Sequence, residues 1–539
     1  MHTTHEVLNQ PPPLVDYNLF LGDRALNDHL AQYPVDWARD LFTDFGERIG
    51  SSEVTQWGFD ANRYEPELQT HDGSGNRIDE VKFHPAYHSL MALSMEYGLH
   101  SLPWEGNEGA YVARAALFSL MAQVESGHGC PISMTTSVVP TLRRQPELAA
   151  DWEARISRTY DPTVRPPELK NSVTFGMALT EKQGGSDVRS NTSTGVTAQD
   201  GTYRITGHKW FCSAPMSDAF LVLAQAPGGL TCFLMPRWTP DGRRNEIAIL
   251  RLKDKLGNRS NASSEIEFRD AFAQRVGDEG DGVRVIVEMI NHTRLDCVLG
   301  SAGLMRQAVA QASHHAANRS AFGQVLADHP AMLNVLADLA LESEAATALM
   351  LRIASSFDAG ATDDEDLFRR IATPVAKYWV TKRTPGLIYE ALECLGGNGY
   401  VEESIMPRLF RESPVNAVWE GSGNVIALDV LRAMHKNPRA AEVFIAEARR
   451  AHGRDSRLDQ ALDNLTTMLQ SPPSESQARR LVESMALALQ ASLLIEHAPT
   501  LVAEAFIGSR LGGDRSGLYG DLPTASDHRS IAERALPKP

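Results

Sequence analysis

The sharpest candidate for chemistry is a glutamate between a tryptophan and a glycine–serine–glycine turn, in VNAVWEGSGN (415–424). A carboxylate that lies behind an apolar ring loses part of its hydration, which raises its pKa and makes it a better base near neutral pH. Glu420, beside Trp419, is therefore a candidate general base. Taken alone, a purely structural glutamate remains the alternative.

Two motifs in the middle of the chain could hold a planar or phosphorylated ligand. MALTEKQGGSD (177–187) offers two hydroxyls and exposed backbone N–H groups around a glycine pair. In GHKWFCSAP (207–215), Phe211 and Ser213 alternate with Cys212, so on a strand they share one face. A ring beside a hydroxyl could stack on a cofactor and hydrogen-bond to its edge. A turn and an ordinary core aromatic are the alternatives.

Two further motifs follow in helical surroundings. NRSAFGQVLADHP (318–330) places an arginine and a phenylalanine three residues apart before a glycine, and LECLGGNGYVEES (392–404) places a glycine loop after a helix. Each taken singly also fits a structural role, the first as a helix end with a solvated arginine and the second as a helix C-cap.

The elements that must position these residues change in type along the chain. Helix-like apolar spacing predicts a helical region over 1–170, short β-prone runs between Gly- and Pro-containing turns predict a β domain over 171–282, and helical periodicity returns over 283–436 and 437–539. Neither G-x-G-x-x-G after a strand nor G-x-x-x-x-G-K-[ST] occurs, so a nucleotide cofactor must be held in another way.

Composition excludes several classes of protein. The chain has 539 residues with 52 basic and 68 acidic side chains, a net charge of −16, which argues against broad nonspecific attraction to nucleic acid. Five cysteines without a C-x-x-C pair indicate neither a disulfide framework nor a zinc site, and favour a reducing compartment. We therefore expect no metal. We expect a cytoplasmic protein, because the N-terminus lacks a targeting pattern and no apolar run is long enough to span a membrane.

Together, the five motifs resemble those of the acyl-CoA dehydrogenase flavoproteins across about residues 80–435, where the family has TE-x-x-x-GSD, K-x-W-I-T, R-x-x-F-G, GG-x-GY and EGT. Within this family the chain is most similar to the AidB-type proteins of the bacterial response to DNA alkylation, notably in FHPAYHSLM (83–91) and RLKDKLGNRSNAS (251–263). The resemblance implies an α+β multidomain fold with helical, β-barrel-like and four-helix-bundle domains, and an extra C-terminal helical domain.

The resemblance also implies the cofactor, the assembly and the reaction. Glu420 would remove the α-proton of an acyl-CoA while a β-hydride passes to N5 of FAD, and the electrons then go to an acceptor that the sequence does not name. Phe211 would lie against the isoalloxazine and Ser213 would face its N5 edge. Arg319, Phe322 and the 396–400 loop would reach the FAD of a neighbouring subunit in a homotetramer. The implied FAD-binding residues are Met177, Thr180, Gln183, Gly185, Ser186, Phe211, Ser213, Arg319, Phe322, Gly396, Gly397, Trp419, Ser422 and Asn424.

The chain departs from the family pattern at several positions. Ser422 replaces threonine and keeps the hydroxyl, whereas His329 replaces a glutamine that contacts FAD across subunits. The family's Asp-x-x-Arg for CoA is Asn291 to Arg294, which puts strong CoA recognition in doubt. The bulky Trp419 narrows the expected acyl pocket, which fits the feeble dehydrogenation of isovaleryl-CoA attributed to AidB-type proteins.

AidB-type proteins also bind double-stranded DNA, and the C-terminal extension contains a candidate surface for this. Arg432 and Lys436 are four residues apart on a predicted helix, and Arg439 follows, so one helix face is cationic. A solvated helix face with paired acids is the alternative. Two functions therefore stand: a DNA-binding flavoprotein with weak dehydrogenase activity, or an ordinary acyl-CoA dehydrogenase of fatty-acid or branched-chain catabolism whose extension only builds the oligomer.

Overall fold

The computed structural model describes residues 4–358, 362–470, 473–513 and 517–537. Two compact units form, and each is assembled from separate stretches of the chain. The helical unit comprises Met1–Thr55, Gly106–Val124 and Cys297–Pro539, and the sheet unit comprises Gln56–Glu105 and Glu125–Asp296.

Helices and strands are numbered separately along the chain. The helices are α1 (Arg24–Leu30), α2 (Arg39–Ile49), α3 (Ser52–Arg63), α4 (Pro85–Glu96), α5 (Ala110–Val124), α6 (Gly129–Leu142), α7 (Pro146–Glu153), α8 (Gly282–Asn318), α9 (Pro330–Ser355), α10 (Asp363–Cys394), α11 (Gly397–Tyr400), α12 (Met406–Glu412), α13 (Val415–Val418), α14 (Gly423–Lys436), α15 (Pro438–Ala448), α16 (Ser456–Gln470), α17 (Ala478–His497), α18 (Thr500–Arg510) and α19 (His528–Ala535). The strands are β1 (Glu67–His71), β2 (Arg77–Lys82), β3 (Phe175–Ala178), β4 (Thr194–Thr197), β5 (Tyr203–Ser213), β6 (Ala219–Ala226), β7 (Gly229–Pro236), β8 (Ile247–Leu252), β9 (Ser263–Val276), β10 (Ser320–Ala321) and β11 (Gln324–Val325).

The main sheet of the sheet unit curls until it closes on itself. Its strand order is β3-β6-β4-β5-β9-β7, β8 pairs with β9, and β7 returns to pair with β6. The five strands β6-β4-β5-β9-β7 thus form a closed ring, while among the described strands β3 pairs only with β6 and β8 only with β9. The apolar side chains divide between two cores: one includes Ile205, Phe220 and Phe233, and the other includes Leu221 and Leu223 with Val138 of α6. The alternation along β6 therefore buries both faces of that strand.

One element of the sheet unit was not predicted. Residues 20–160 have helix-like spacing, yet β1 and β2 form an antiparallel hairpin within them. The carboxylate of Asp79 on β2 accepts a hydrogen bond of 3.2 Å from the N–H of Ile249 on β8, and it forms an ion pair with Arg77. The hairpin therefore depends on a long-range partner, which local periodicity does not reveal.

The helical unit is organised around α9 and α10. From Leu336 to Leu351 every residue of α9 is buried, so this stretch has no solvent-exposed face and lies inside the bundle. Thr362 caps α10 by accepting the N–H of Glu365, and the acidic residues of its first turn favour the positive end of the helix dipole.

The C-terminal helices continue the helical unit instead of forming a separate core. Helix α17 contacts α9, α10 and α14, and α19 contacts α9. Buried ion pairs reinforce the arrangement: Arg510 of α18 pairs with Asp338 and Glu342 of α9, and Arg534 of α19 pairs with Glu344. Among the described residues, no helix combines the length and the apolar character needed to cross a lipid bilayer.

Candidate active site

The candidate base stands at a sharp corner between α13 and α14. Trp419 is extended (φ −72°, ψ 164°), Glu420 is left-handed (φ 57°), Gly421 is also left-handed (φ 109°), and Ser422 leads into α14. A left-handed residue other than glycine costs about 1–3 kcal/mol and persists only where its surroundings hold it. Glu420 is half-buried. The corner therefore projects one carboxylate from a backbone that needs support.

The side chain that precedes Glu420 supplies part of that support. The indole N–H of Trp419 donates to Oδ1 of Asn416 at 2.9 Å, and Nδ2 of Asn416 donates to Oγ of Ser301 at 3.1 Å. Trp419 is thus fixed by hydrogen bonds within the helical unit.

A buried lysine contacts the same corner from α10. The ammonium of Lys377 donates to the carbonyl oxygen of Trp419 at 2.8 Å and also to that of Gly421. Its side chain is only 1% exposed. The lysine therefore holds the carbonyls on both sides of Glu420, and no sequence motif pointed to it.

Cations gather where α14 begins. Nε of Arg479 donates to Oδ1 of Asn424 at 2.8 Å, and a Cβ placed on Gly423 would lie 2.4 Å from Cε of Lys382. Burial lowers the pKa of Lys382, and repulsion from Arg479 adds to this effect. Because Ser422 and Asn424 are exposed beside these cations, the start of α14 suits an anionic ligand.

In the sheet unit, a buried ion pair positions the 180–187 loop. Nζ of Lys209 on β5 lies 2.8 Å from Oε1 of Glu181, and both side chains are fully buried. Glu181 also accepts the N–H groups of Thr192 at 2.7 Å and of Ser193 at 3.2 Å. Burial alone would raise the pKa of Glu181, but the hydrogen bonds from Lys209 and Thr192 outweigh it and hold the pKa well below its usual range.

The loop leaves its predicted ligand-binding groups accessible. A Cβ at Gly185 would lie 2.3 Å from Oγ1 of Thr180, so only glycine leaves that hydroxyl uncovered. Ser186 and Gln183 are exposed, and Met177 is half-buried. The amide of Gln183 donates to Oε2 of Glu181 at 2.8 Å, which ties it to the ion pair.

Strand β5 presents its aromatic ring outward because of a bulge. The pairing with β9 shifts register between Lys209 and Cys212. A bulge changes the face on which following residues lie. Lys209 is consequently buried, whereas Phe211 is 52% exposed and Ser213 is half-buried. Phe211 and Ser213 thus both remain outside the core that contains Cys212.

The R-x-x-F-G segment forms the tight hairpin of β10 and β11. Phe322 (φ 53°) and Gly323 (φ 84°) are both left-handed, as a two-residue hairpin turn requires, and Phe322 is 98% exposed. The N-terminal segment holds this hairpin: Asn9 and Ser320 exchange two hydrogen bonds of 2.8 Å, and Arg319 donates to the carbonyl of Asn9 at 2.8 Å.

His329 also braces the hairpin. One ring nitrogen lies 2.8 Å from Nε2 of Gln324 and the other 3.1 Å from the carbonyl of Ala321. The replacement of the family's glutamine therefore has a structural use within this chain.

The glycine loop after α10 is open. Gly396 is left-handed (φ 59°), and a Cβ at Gly396 or Gly397 would meet nothing within 4 Å. Tyr400 is 80% exposed. The positive φ explains the first glycine, and the space beside both is available to a ligand or a partner.

The structure changes the predicted cationic face of the extension. Arg432, Lys436 and Arg439 are all exposed, but Arg439 forms an ion pair of 2.5 Å with Asp364 of α10. Within the described part of the chain, Arg432 and Lys436 form no ion pair. Two of the three predicted cations are therefore available to an external anion.

The sequence is similar to known proteins over its whole length. Family models match for the AidB N-terminal domain over residues 9–162, the acyl-CoA dehydrogenase middle domain over 176–271 and the acyl-CoA dehydrogenase C-terminal domain over 280–435. The chain is 44% identical over 507 residues to the AidB protein of Escherichia coli (strain K12), covering 93% of this chain and 94% of that relative. The chain belongs to the acyl-CoA dehydrogenase family.

Solved structures agree with this assignment. The crystal structure of Caenorhabditis elegans ACDH-11 in complex with C11-CoA matches with a TM-score of 0.84 and 27% identity, over 99% of this chain and 93% of that one. The apo-form of Bd2924 matches with a TM-score of 0.82 and 28% identity, over 91% and 99%. The predicted fold and the AidB-type resemblance are confirmed, and the protein is an FAD-dependent oxidoreductase that acts on CH–CH groups.

Each unit, considered by itself, contains described residues whose chemistry suits binding of FAD. The sheet unit offers the uncovered hydroxyl of Thr180 and the exposed ring of Phe211, which are a hydrogen-bonding group and a stacking surface. The helical unit offers Arg479 and Lys382 beside Ser422, which are cations next to a helix N-terminus for a phosphorylated ligand.

Proposed function

We propose that the protein weakly dehydrogenates a short branched acyl-CoA, such as isovaleryl-CoA, with Glu420 as the base. The observation that carries this proposal is the corner at Glu420, where one carboxylate is held in a left-handed conformation between two fixed carbonyls. A base that must meet one particular C–H bond needs such a fixed position. The solved relative ACDH-11 is in complex with an acyl-CoA, which supports the substrate class.

The reaction removes two hydrogens from adjacent carbons. Bound FAD supplies the chemistry of accepting the β-hydride. Glu420 takes the α-proton, and the electron pair left on the α-carbon forms the double bond. Thr180, Ser186, Phe211 and Ser213 would hold the cofactor, and Ser422 and Asn424 are further proposed contacts.

The motif that the family uses to bind CoA, Asp-x-x-Arg, is Asn291 to Arg294 in this chain. His292 packs against Trp104, with ring centroids 6.1 Å apart, and Arg294 is buried. A buried arginine is poorly placed for a surface contact with the CoA phosphates. This is a second reason, beside Trp419, to expect slow turnover.

The test is anaerobic bleaching of the bound flavin with butyryl-, isovaleryl- and undecanoyl-CoA. We expect isovaleryl-CoA to bleach fastest and Glu420→Gln to abolish bleaching while FAD stays bound. Glu412→Gln, a carboxylate buried on α12, is the matched control for loss of a charge. Bleaching that persists in Glu420→Gln would show that another group is the base.

A second function is favoured by Arg432 and Lys436. We propose that these exposed cations, without acidic partners among the described residues, bind the phosphates of double-stranded DNA in the response to alkylation damage. Such binding is independent of sequence and weakens steeply with salt. The ion pairs of Arg439 with Asp364 and of Arg449 with Asp463 make those arginines weaker contributors.

The DNA proposal is tested by measuring the affinity for a duplex at 50 and 200 mM salt. We expect Arg432→Ala with Lys436→Ala to weaken binding and to lower the slope of log K against log[salt] by about two for each contacting subunit. Arg439→Ala, an exposed but paired arginine, is the control with a smaller effect. Fast bleaching by an acyl-CoA without salt-sensitive DNA retention would support the ordinary dehydrogenase instead.

We also propose a homotetramer and a cytoplasmic location. The tetramer is supported by the rings of Phe322 and Tyr400, which stand exposed on turns that the family uses against neighbouring subunits. The location is supported by the five cysteines, which include no C-x-x-C pair. Sedimentation of the purified protein as a monomer would contradict the tetramer.

A further inference from the structure

We propose that Lys377 is a positioning residue, which holds the Glu420 carboxylate in the orientation needed to take the substrate proton. This inference rests on the proposed role of Glu420. It assigns a further residue to the reaction, on a different helix from the catalytic corner.

The position of the two carbonyls carries the proposal. The Trp419 carbonyl belongs to the peptide unit that precedes Glu420, and the Gly421 carbonyl belongs to the unit that follows Gly421. Both oxygens accept hydrogen bonds from one ammonium group. Because both ends of this short segment converge on Nζ of Lys377, the backbone dihedrals of Glu420 and Gly421 have little freedom.

The need for such a clamp is visible in the backbone. Glu420 and Gly421 are two consecutive residues with positive φ, and only the second is a glycine. A non-glycine residue leaves this conformation readily unless neighbouring groups hold it. The ammonium donates three hydrogen bonds at most and is buried, so water does not compete with the carbonyls for it.

The helix that carries Lys377 is rigid at this point. Oγ1 of Thr381 donates to the carbonyl of Lys377 at 2.6 Å, and the residues from Ile371 to Thr381 are all buried. The hydrogen bonds through the Trp419 indole and Asn416 restrain a side chain and not the two carbonyls. Lys377 therefore controls the peptide units that aim Glu420.

The experiment compares Lys377→Met, Lys377→Gln and Arg370→Met with the wild-type holoenzyme. Methionine keeps the length of the side chain but donates no hydrogen bond, and glutamine retains an amide donor. Arg370→Met is the matched control because Arg370 also joins α10 to α14, through Asp429 at 2.7 Å, without contacting either carbonyl. Flavin reduction is followed by stopped flow with isovaleryl-CoA and its α-deuterated form.

In Lys377→Met we expect the rate of flavin reduction to fall on the order of 10–100-fold, with substrate affinity changed less than about threefold. FAD content should stay the same, and the α-deuterium isotope effect should increase because proton removal becomes slower. Lys377→Gln should be intermediate and Arg370→Met close to wild type. A merely structural lysine would lower folding or FAD content without raising the isotope effect.

Amide hydrogen exchange of a peptide covering 419–423 gives a readout that does not depend on activity. Faster exchange there in Lys377→Met, with α9 unchanged, supports the clamp even if isovaleryl-CoA is not a substrate. Unchanged exchange and rate in a folded Lys377→Met overturn the proposal, as does loss of folding in both lysine variants. The proposed function itself fails separately, if Glu420→Gln is still reduced by acyl-CoA.

Discussion

Removal of the Lys209 ammonium should destabilise the sheet unit and release FAD. Lys209→Met leaves Glu181 as a fully buried carboxylate whose cationic partner, 2.8 Å away, is gone. It also removes a donor 2.8 Å from the carbonyl of Leu223 on β6. Breaking a buried ion pair by deleting one partner costs about 3–5 kcal/mol, because the remaining charge is uncompensated.

The same change should reach the cofactor loop. Glu181 accepts hydrogen bonds from Gln183, Thr192 and Ser193. Once its carboxylate is unpaired, it gains free energy by moving into solvent, and this movement breaks those hydrogen bonds. Thr180 and Ser186 lie on this loop. We therefore expect less bound FAD after gel filtration and faster amide exchange over residues 180–193.

The assay is denaturant unfolding of the FAD-free protein beside the flavin content of the purified protein. Lys182→Met is the matched control, because this lysine lies in the same loop but is exposed. Adding Glu181→Gln to Lys209→Met should recover part of the stability by removing the unpaired charge. A loss under about 1 kcal/mol in Lys209→Met, or one equal to that of Lys182→Met, would refute the reasoning.

Two further predictions concern other contacts. Asn9→Ala removes both hydrogen bonds to Ser320 and should lower the stability of the β10–β11 hairpin by about 1 kcal/mol. The measurement is amide exchange over residues 319–325, which should become faster relative to α9. Unchanged protection of these residues would contradict the prediction. Glu125, buried in the sheet unit, lies 2.7 Å from Nδ1 of His128; burial would raise its pKa, but the hydrogen bond and charge of His128 hold it well below its usual range. The contribution of ionised Glu125 to stability is therefore complete above its unfolded pKa of about 4.3 and is lost as the pH falls. Glu125→Gln should lower the free energy of unfolding at pH 7 by about 3–5 kcal/mol and should flatten the pH dependence of unfolding below about pH 4.3. Equal acid sensitivity of the variant and the wild type would contradict this prediction.

The local pattern of residues predicted the elements well where local forces decide them. The β-prone runs at 219–226 and 263–270 predicted strands, and they lie in β6 and β9. The alternation around Cys212 predicted that Phe211 and Ser213 share one face, and neither side chain is buried as Cys212 is. These features depend on neighbours one to four residues away, which a sequence shows directly.

Contacts between distant residues explain what the sequence missed. The β1–β2 hairpin binds β8 through Asp79, about 170 positions away, so its own helix-like spacing was misleading. Arg439 was predicted to contribute to a cationic helix face, but it pairs with Asp364 on another helix. Charge spacing along one helix does not include acids contributed by its neighbours.

The candidate site divides in the same way. The sequence by itself determined the chemical groups: Glu420 in its motif, the hydroxyl and ring at Ser213 and Phe211, and the glycines that a close approach or a positive φ requires. Only the tertiary structure decided how they are held, by Lys377 on α10, by Lys209 beneath the 180–187 loop and by Asn9 on the Phe322 hairpin. The reason is physical: a buried ammonium or a backbone hydrogen bond acts over about 3 Å in space, whatever the separation along the chain.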